Sequence, residues 1–213
     1  MDITWYGHSC FRLVERGKAA VVTDPYNGGI GYKFPRKMRA DIVTISHEAP
    51  GHANVDWPKT TRIIRKAGEY EIGGVFVIGV ATHHPEDPTL QNVVYVLDFE
   101  ELSVVHLGDL SYIPSQSQID ALGTVNVMMV PVGGGKGLTA GQAAEVISLI
   151  EPNIIIPMHY KTPYTTLELD PLEKFLKVMG LGTIEPQEML RVNASSLPEE
   201  PVVVVLEPQQ QDA

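Results

Sequence analysis

Residues 41–52 read DIVTISHEAPGH. A β-branched apolar run closes at Ser46, and a loop follows with His47 and His52 at its two ends and the turn pair Pro50–Gly51 between them. The run has the composition of a short strand and the Pro-Gly pair that of a turn. Two histidines at such a junction are either metal ligands or the ordinary polar residues of a loop. The rest of the chain bears on the choice. His84 follows VFVIGVAT, His159 follows NIIIP, and Asp109 closes LSVVHLGD. Strand ends gathered on one rim of a sheet are where side chains from distant parts of a chain converge. Imidazole and carboxylate are ligands for zinc and also suit manganese or iron.

Further short β-branched runs bounded by Gly, Pro, Asn or Asp predict strands in DITWYG, AAVVTD, GGVFVIGV, NVVYVLDF, VNVMMVPV and PVVVVLE. Thr139 and Gln142 form a capping-box pair ahead of Ala140, Ala143, Ala144, Ile147 and Ile150 at helical spacing, and Pro152 ends that helix. Asp170, Pro171 and Glu173 open a second helix with Gly180 as its stop, and SQSQIDAL forms a third. The 213 residues suit one domain, 1–206, with a polar, flexible tail at 207–213. Hydrophobic residues make up 44% and charged residues 20%, which excludes a disordered or fibrous chain. No apolar stretch approaches the roughly 20 residues of a membrane span, and the N-terminus carries no signal-peptide pattern, so the expected location is cytoplasmic. Cys10 is the sole cysteine, which rules out an internal disulfide and a four-thiolate zinc site. The net charge of -10 argues against a nucleic-acid partner.

The motifs ITWYGHSCFRL, VVTDPY, ADIVTISH, GVFVIGVATHH, VVHLGDL, VPVGGG and IIPMHYKT run in order along nearly the whole chain. In this they resemble the metallo-β-lactamase superfamily, in particular its small branch that includes ascorbate-6-phosphate lactonase and many metal-dependent hydrolases. The resemblance implies an α/β (α+β) fold, a four-layered αββα sandwich of two mixed β-sheets flanked by helices, with a metal site along one edge. Laid on the family loop His-x-His-x-Asp-His, His47 takes the first position and His52 the last, while Ala49 and Gly51 stand at the other two. His84, Asp109 and His159 match the downstream ligand positions. The implied ligand set is therefore His47, His52, His84, Asp109 and His159, with Asp109 shared and Asp109 and His52 as the catalytic pair.

The implied cofactor is zinc, with manganese, iron or nickel as alternatives, in one or two ions. The implied activity is hydrolysis of an ester, lactone or phosphoester by metal-activated water, low on generic substrates because two loop ligands are absent. The alternative is a non-catalytic member that binds a ligand or protein partner at the former cleft. The expected partner is a small-molecule substrate, with Tyr160 and Lys161 placed to reach an anionic one; a membrane is not expected and a homo-oligomer stays open. Glu48 and His83 are candidate replacements for a lost ligand. His8 and Asp24 match supporting family positions, and His106 belongs inside the sheet or behind the ligands. VGGGKG lacks the spacing of a phosphate loop.

Overall fold

A computed structural model describes residues 1–210 apart from 36, 57, 61, 85 and 88. The end of the expected flexible tail, 211–213, lies outside the described residues. Within the described part of that tail, the Gln209 amide donates to Trp5 O (2.8 Å) and Gln210 Oε1 accepts from the Lys33 amide (2.9 Å).

Strands form in every stretch where β-branched runs predict them, and two mixed sheets result. The first holds β1 (Asp2–Gly7), β2 (Cys10–Val14), β3 (Val21–Thr23), β4 (Ile42–Thr44), β5 (Ile63–Ile64) and β12 (Leu190–Arg191), in the order β12-β1-β2-β3-β4-β5. The second holds β6 (Gly68–Ile72), β7 (Val75–His83), β8 (Gln91–Asp98), β9 (Ser103–His106), β10 (Val127–Pro131), β11 (Ile154–Met158) and β13 (Val202–Val203), in the order β13-β11-β10-β9-β8-β7-β6. Strand β6 was not legible as one. Its sequence GEYEI puts two glutamates on a sheet edge, where charge discourages further pairing.

Alternation along the strands builds the core. Ile3, Trp5, Phe11 and Leu13 of the first sheet face Val77, Leu97 and Val105 of the second in one buried cluster. Strands β10 and β11 are buried at every position, as parallel strands covered on both faces are. Their second cover comes from α2 (Ala140–Ile150), which buries Ala140, Ala143, Val146 and Ile147, and from α3 (Leu172–Val178), which buries Phe175 and Leu176. The Thr139–Gln142 capping box forms as expected, and α1 (Gln116–Asp120) begins with a similar box at Ser115. Asp170 does not cap α3. Its amide donates to Gly133 O and its carbonyl accepts from the Lys161 amide, which ties two loops of the site together instead. Among the described residues no α-helix precedes residue 116. The outer face of the first sheet, Cys10, Val22 and Val43, is covered by Tyr26, Ile30 and Tyr32 from irregular chain.

Strands β3 and β4 are parallel, as are β9, β10 and β11. Each parallel set delivers its carboxyl ends to one rim, and the Val93 amide donates to Ser46 O across the gap between the sheets (2.8 Å). That rim carries the site.

Candidate metal centre

The loop after β4 folds as a compact turn: the Ala49 amide donates to His47 O, and the His52 and Ala53 amides donate to Ala49 O. This winding turns both histidines inward. Asp24, at the end of β3, orients them. Its Oδ1 accepts from the Ser46 amide (2.7 Å), and its Oδ2 accepts from Ser46 Oγ (2.5 Å) and lies 2.8 Å from His52 Nδ1. Burial would raise the Asp24 pKa, but the hydrogen bonds and charge of His52, with His106 and Ser46 adding, bring it down to about 2. An ionised carboxylate can only accept, so His52 carries its proton on Nδ1 and presents the Nε2 lone pair to the cleft. Ser46 Oγ, having spent its proton on Asp24, accepts from His47 Nδ1 (3.1 Å), which leaves His47 Nε2 free as well. One buried carboxylate thus sets both tautomers, as the outer partners of metal-bound histidines do.

From the second sheet come Asp109 and His159. The Asp109 amide donates to Asn92 Oδ1 (2.9 Å), and Asn92 Nδ2 in turn donates to Thr82 Oγ1 and Leu107 O. His159 follows β11, and its amide donates to His8 O (3.2 Å), which joins it to the end of β1. His159 Nδ1 stands 3.3 Å from Asp109 Oδ1, and His47 Nε2 stands 3.9 Å from Asp109 Oδ2. His8 completes the group, its Nε2 3.0 Å from His52 Nε2. His8 (φ 53°), Asp24 (φ 39°) and His159 (φ 53°) all hold left-handed backbone, a conformation L-residues keep where the surroundings impose it, often at functional sites.

Burial lowers the pKa of His8, His47 and His159, with neighbouring imidazoles adding to the shift, so these rings are neutral and able to ligate. His52 is raised, because the Asp24 hydrogen bond and charge outweigh its burial. Asp109 is lowered: burial opposes ionisation, but His159, His52 and His47 overcome it. Among the described residues two sets bring ligand atoms within 4.8 Å of one another, His8 with His52 and His159, and His47 with His52 and Asp109. Three buried atoms of this cluster, His8 Nδ1, Asp109 Oδ1 and His159 Nδ1, have no hydrogen-bond partner. Unpaired polar atoms, neutral imidazoles and an ionised carboxylate together fit a divalent cation.

Four of the five expected ligands, His47, His52, Asp109 and His159, therefore converge. His84 stands apart from them. It follows β7, two strands removed from β9, and its ring lies edge-on to Tyr112 while Nδ1 accepts from the Glu86 amide. Glu48 pairs with Arg65, and His83 is exposed on β7, so neither points into the cluster. His106 is wholly buried, with Nε2 donating to Ser9 O and Nδ1 accepting from the Gly108 amide, and acts as a structural tie. Lys161 Nζ is spent on Thr165 O and Leu167 O; the lysine that lines the cleft is Lys136. It belongs to the glycine run GGGKG, where a Cβ on Gly137 would lie 3.1 Å from Asp109 Oδ1. A glycine run directly after a strand signals such close backbone approach. The cleft has a volume of about 580 Å³, within the range of small-molecule sites.

Other proteins resemble this chain in sequence and in its two-sheet fold. A UPF0173 protein of Pyrococcus furiosus is 32% identical over 198 residues, covering 83% of this chain and 90% of that protein. A UPF0173 metal-dependent hydrolase of Thermoplasma acidophilum is 26% identical, covering 86% and 93%. A crystal structure from Thermotoga maritima, assigned to the Zn-dependent hydrolases of the metallo-beta-lactamase superfamily, superposes with a TM-score of 0.79 at 37% identity, covering 96% of this chain and 97% of that one. The Beta-lactamase superfamily domain matches residues 2–159, which takes in every cluster residue from His8 to His159. The chain accordingly belongs to the metallo-β-lactamase superfamily.

Proposed function

We propose that this metal-dependent hydrolase cleaves an ester, lactone or phosphoester of a small, anionic substrate, with His47, His52, Asp109 and His159 holding the ion and Asp109 and His52 as the catalytic pair. The observation that carries the reading is the convergence of neutral imidazoles and one ionised carboxylate on a cleft of substrate size. A divalent ion there supplies an activated water and polarises the bond under attack. Zinc suits the histidine-rich donors, with manganese, iron or nickel as alternatives. Asp109, held by Asn92 through its amide, keeps one oxygen aimed at His159 and the other toward His47, a position from which it can orient the attacking water and take its proton. His52, fixed by Asp24, keeps its Nε2 on the cleft floor. Lys136 on the cleft wall offers the positive charge that an anionic substrate needs.

The reading carries with it a cytoplasmic location; among the described residues no helix is long and apolar enough to cross a membrane. Its test is a screen of esters, lactones and phosphodiesters with zinc-, manganese-, iron- and nickel-loaded protein. One substrate class should be hydrolysed, and Asp109→Asn should lower kcat by about 10³-fold, within the range of losing a general base. Activity that survives both a chelator and Asp109→Asn would refute it.

A further inference from the structure

Gly51 stands where the family loop has an aspartate, and the structure supplies a reason for glycine there. Its φ is not in the left-handed region, so glycine is not demanded by the backbone. Space disfavours a side chain there: a Cβ on Gly51 would lie 3.0 Å from His8 Nε2 and 3.3 Å from His8 Cδ2, so the ring would have to give way by a few tenths of an ångström. The His8 ring fills the volume into which a side chain at position 51 would project. It arrives there from an earlier part of the chain, the turn between β1 and β2, and it points a nitrogen at the same place.

We infer that His8 is a metal ligand that replaces the missing side chain of residue 51, so that His8, His52 and His159 form the three-histidine position for an ion in this cleft. The inference rests on the metal-dependent reading above and adds a ligand to it. Three observations carry it. The ligand atoms of the three histidines lie within 4.8 Å of one another, and all three residues are buried. The 3.0 Å between His8 Nε2 and His52 Nε2 compares with about 3.3 Å for two nitrogens each about 2.05 Å from a tetrahedral zinc. The His52 Nε2 lone pair already faces His8, because Asp24 fixes its proton on Nδ1. Three histidines with one open position describe a catalytic zinc site. The site thus has an imidazole where the family has a carboxylate, which makes it less negative by one charge and favours softer, nitrogen-preferring cations over magnesium or calcium.

The test is metal binding by the full chain, read by elemental analysis, by the visible spectrum of the cobalt(II) form and by X-ray absorption of the zinc form. Variants are His8→Asn, chosen because asparagine tolerates the φ of 53° at this position, and His8→Asn combined with Gly51→Asp. The single variant should bind cobalt at least 10-fold more weakly, with an altered d–d spectrum. The double variant should regain affinity, since the carboxylate now enters the space the ring has left; a residue that merely positioned a ligand would not be rescued from position 51. X-ray absorption of zinc-loaded His47→Gln should count three imidazoles, since only His52 and His159 remain if His8 does not bind, and this readout holds even if the His8 variants do not fold. Unchanged affinity and spectrum in His8→Asn, or two imidazoles in His47→Gln, would overturn the role of His8 while leaving the hydrolase reading intact. Wild-type protein that binds neither zinc nor cobalt would overturn both.

Discussion

Asp24 controls more of the site than any ligand does, because three donors from two residues converge on its buried carboxylate. Asp24→Asn keeps the shape but turns one oxygen into a donor that faces other donors. It should destabilise the protein by about 3 kcal/mol, the scale of breaking a buried charged pair, and weaken metal binding by 10- to 100-fold, as loss of an orienting partner does. Urea unfolding in chelator and a zinc competition titration measure the two effects. Histidine protonation sets a pH dependence of the metal-free protein. His8, His47, His106 and His159 have folded pKa values below 6.5, so between those values and 6.5 the unfolded chain binds more protons and stability falls as pH falls. His52 has the opposite sign: its raised pKa adds stability below about 6.5 that is lost as pH rises through the folded value. Four groups oppose one, so the urea midpoint in chelator should be lower at pH 5.5 than at pH 7.5. A midpoint that rises on acidification would contradict this balance.

At the scale of elements, strands and helices differ in how closely they are tied to the rim. Helix α2 is fastened by its Thr139 cap, whose hydrogen bonds go to Gln142 rather than to a residue of the cluster. Thr139→Ala should lose about 1 kcal/mol and leave zinc stoichiometry unchanged. The turn after β9 behaves differently. Gly108 has φ 60°, and a Cβ there would lie 2.3 Å from Asn92 Oδ1 and 2.5 Å from Ser46 Cβ. Gly108→Ala therefore forces apart the two residues that hold Asp109 and the His47 loop. It should lower both the thermal midpoint and zinc affinity, and a variant that lost stability but bound zinc normally would show the turn to be separable from the site.

For the whole molecule, the cluster draws His8, His47 and His52 from the first sheet and Asp109 and His159 from the second. An ion bound there would cross-link the two halves of the sandwich and stabilise only the folded state. At a free zinc concentration of about 100 times Kd that is worth about 2.7 kcal/mol, or roughly 5–10 °C in Tm for a chain of this size. Differential scanning calorimetry with zinc and with chelator checks it, and an unchanged Tm would mean that no ion joins the sheets.

The sequence by itself determined the strand-rich class, the capped α2 and the placing of histidine and carboxylate residues at strand ends, because two-residue alternation, helical spacing and caps are local properties of the chain. Edge strand β6, masked by its glutamates, was the kind of element local pattern could not show. The tertiary structure alone decided which polar residues meet. His84 and His159 look alike in sequence, each following an apolar run, yet only His159 reaches the cluster, because β11 ends beside His8 whereas β7 lies two strands beyond β9. His8 and Asp24 match supporting family positions in sequence, but they become the neighbours of Gly51 and His52 only when β1, β3 and β4 line up in the first sheet. Convergence at a point depends on strand order and on the register of one sheet over another, which no run of neighbouring residues encodes.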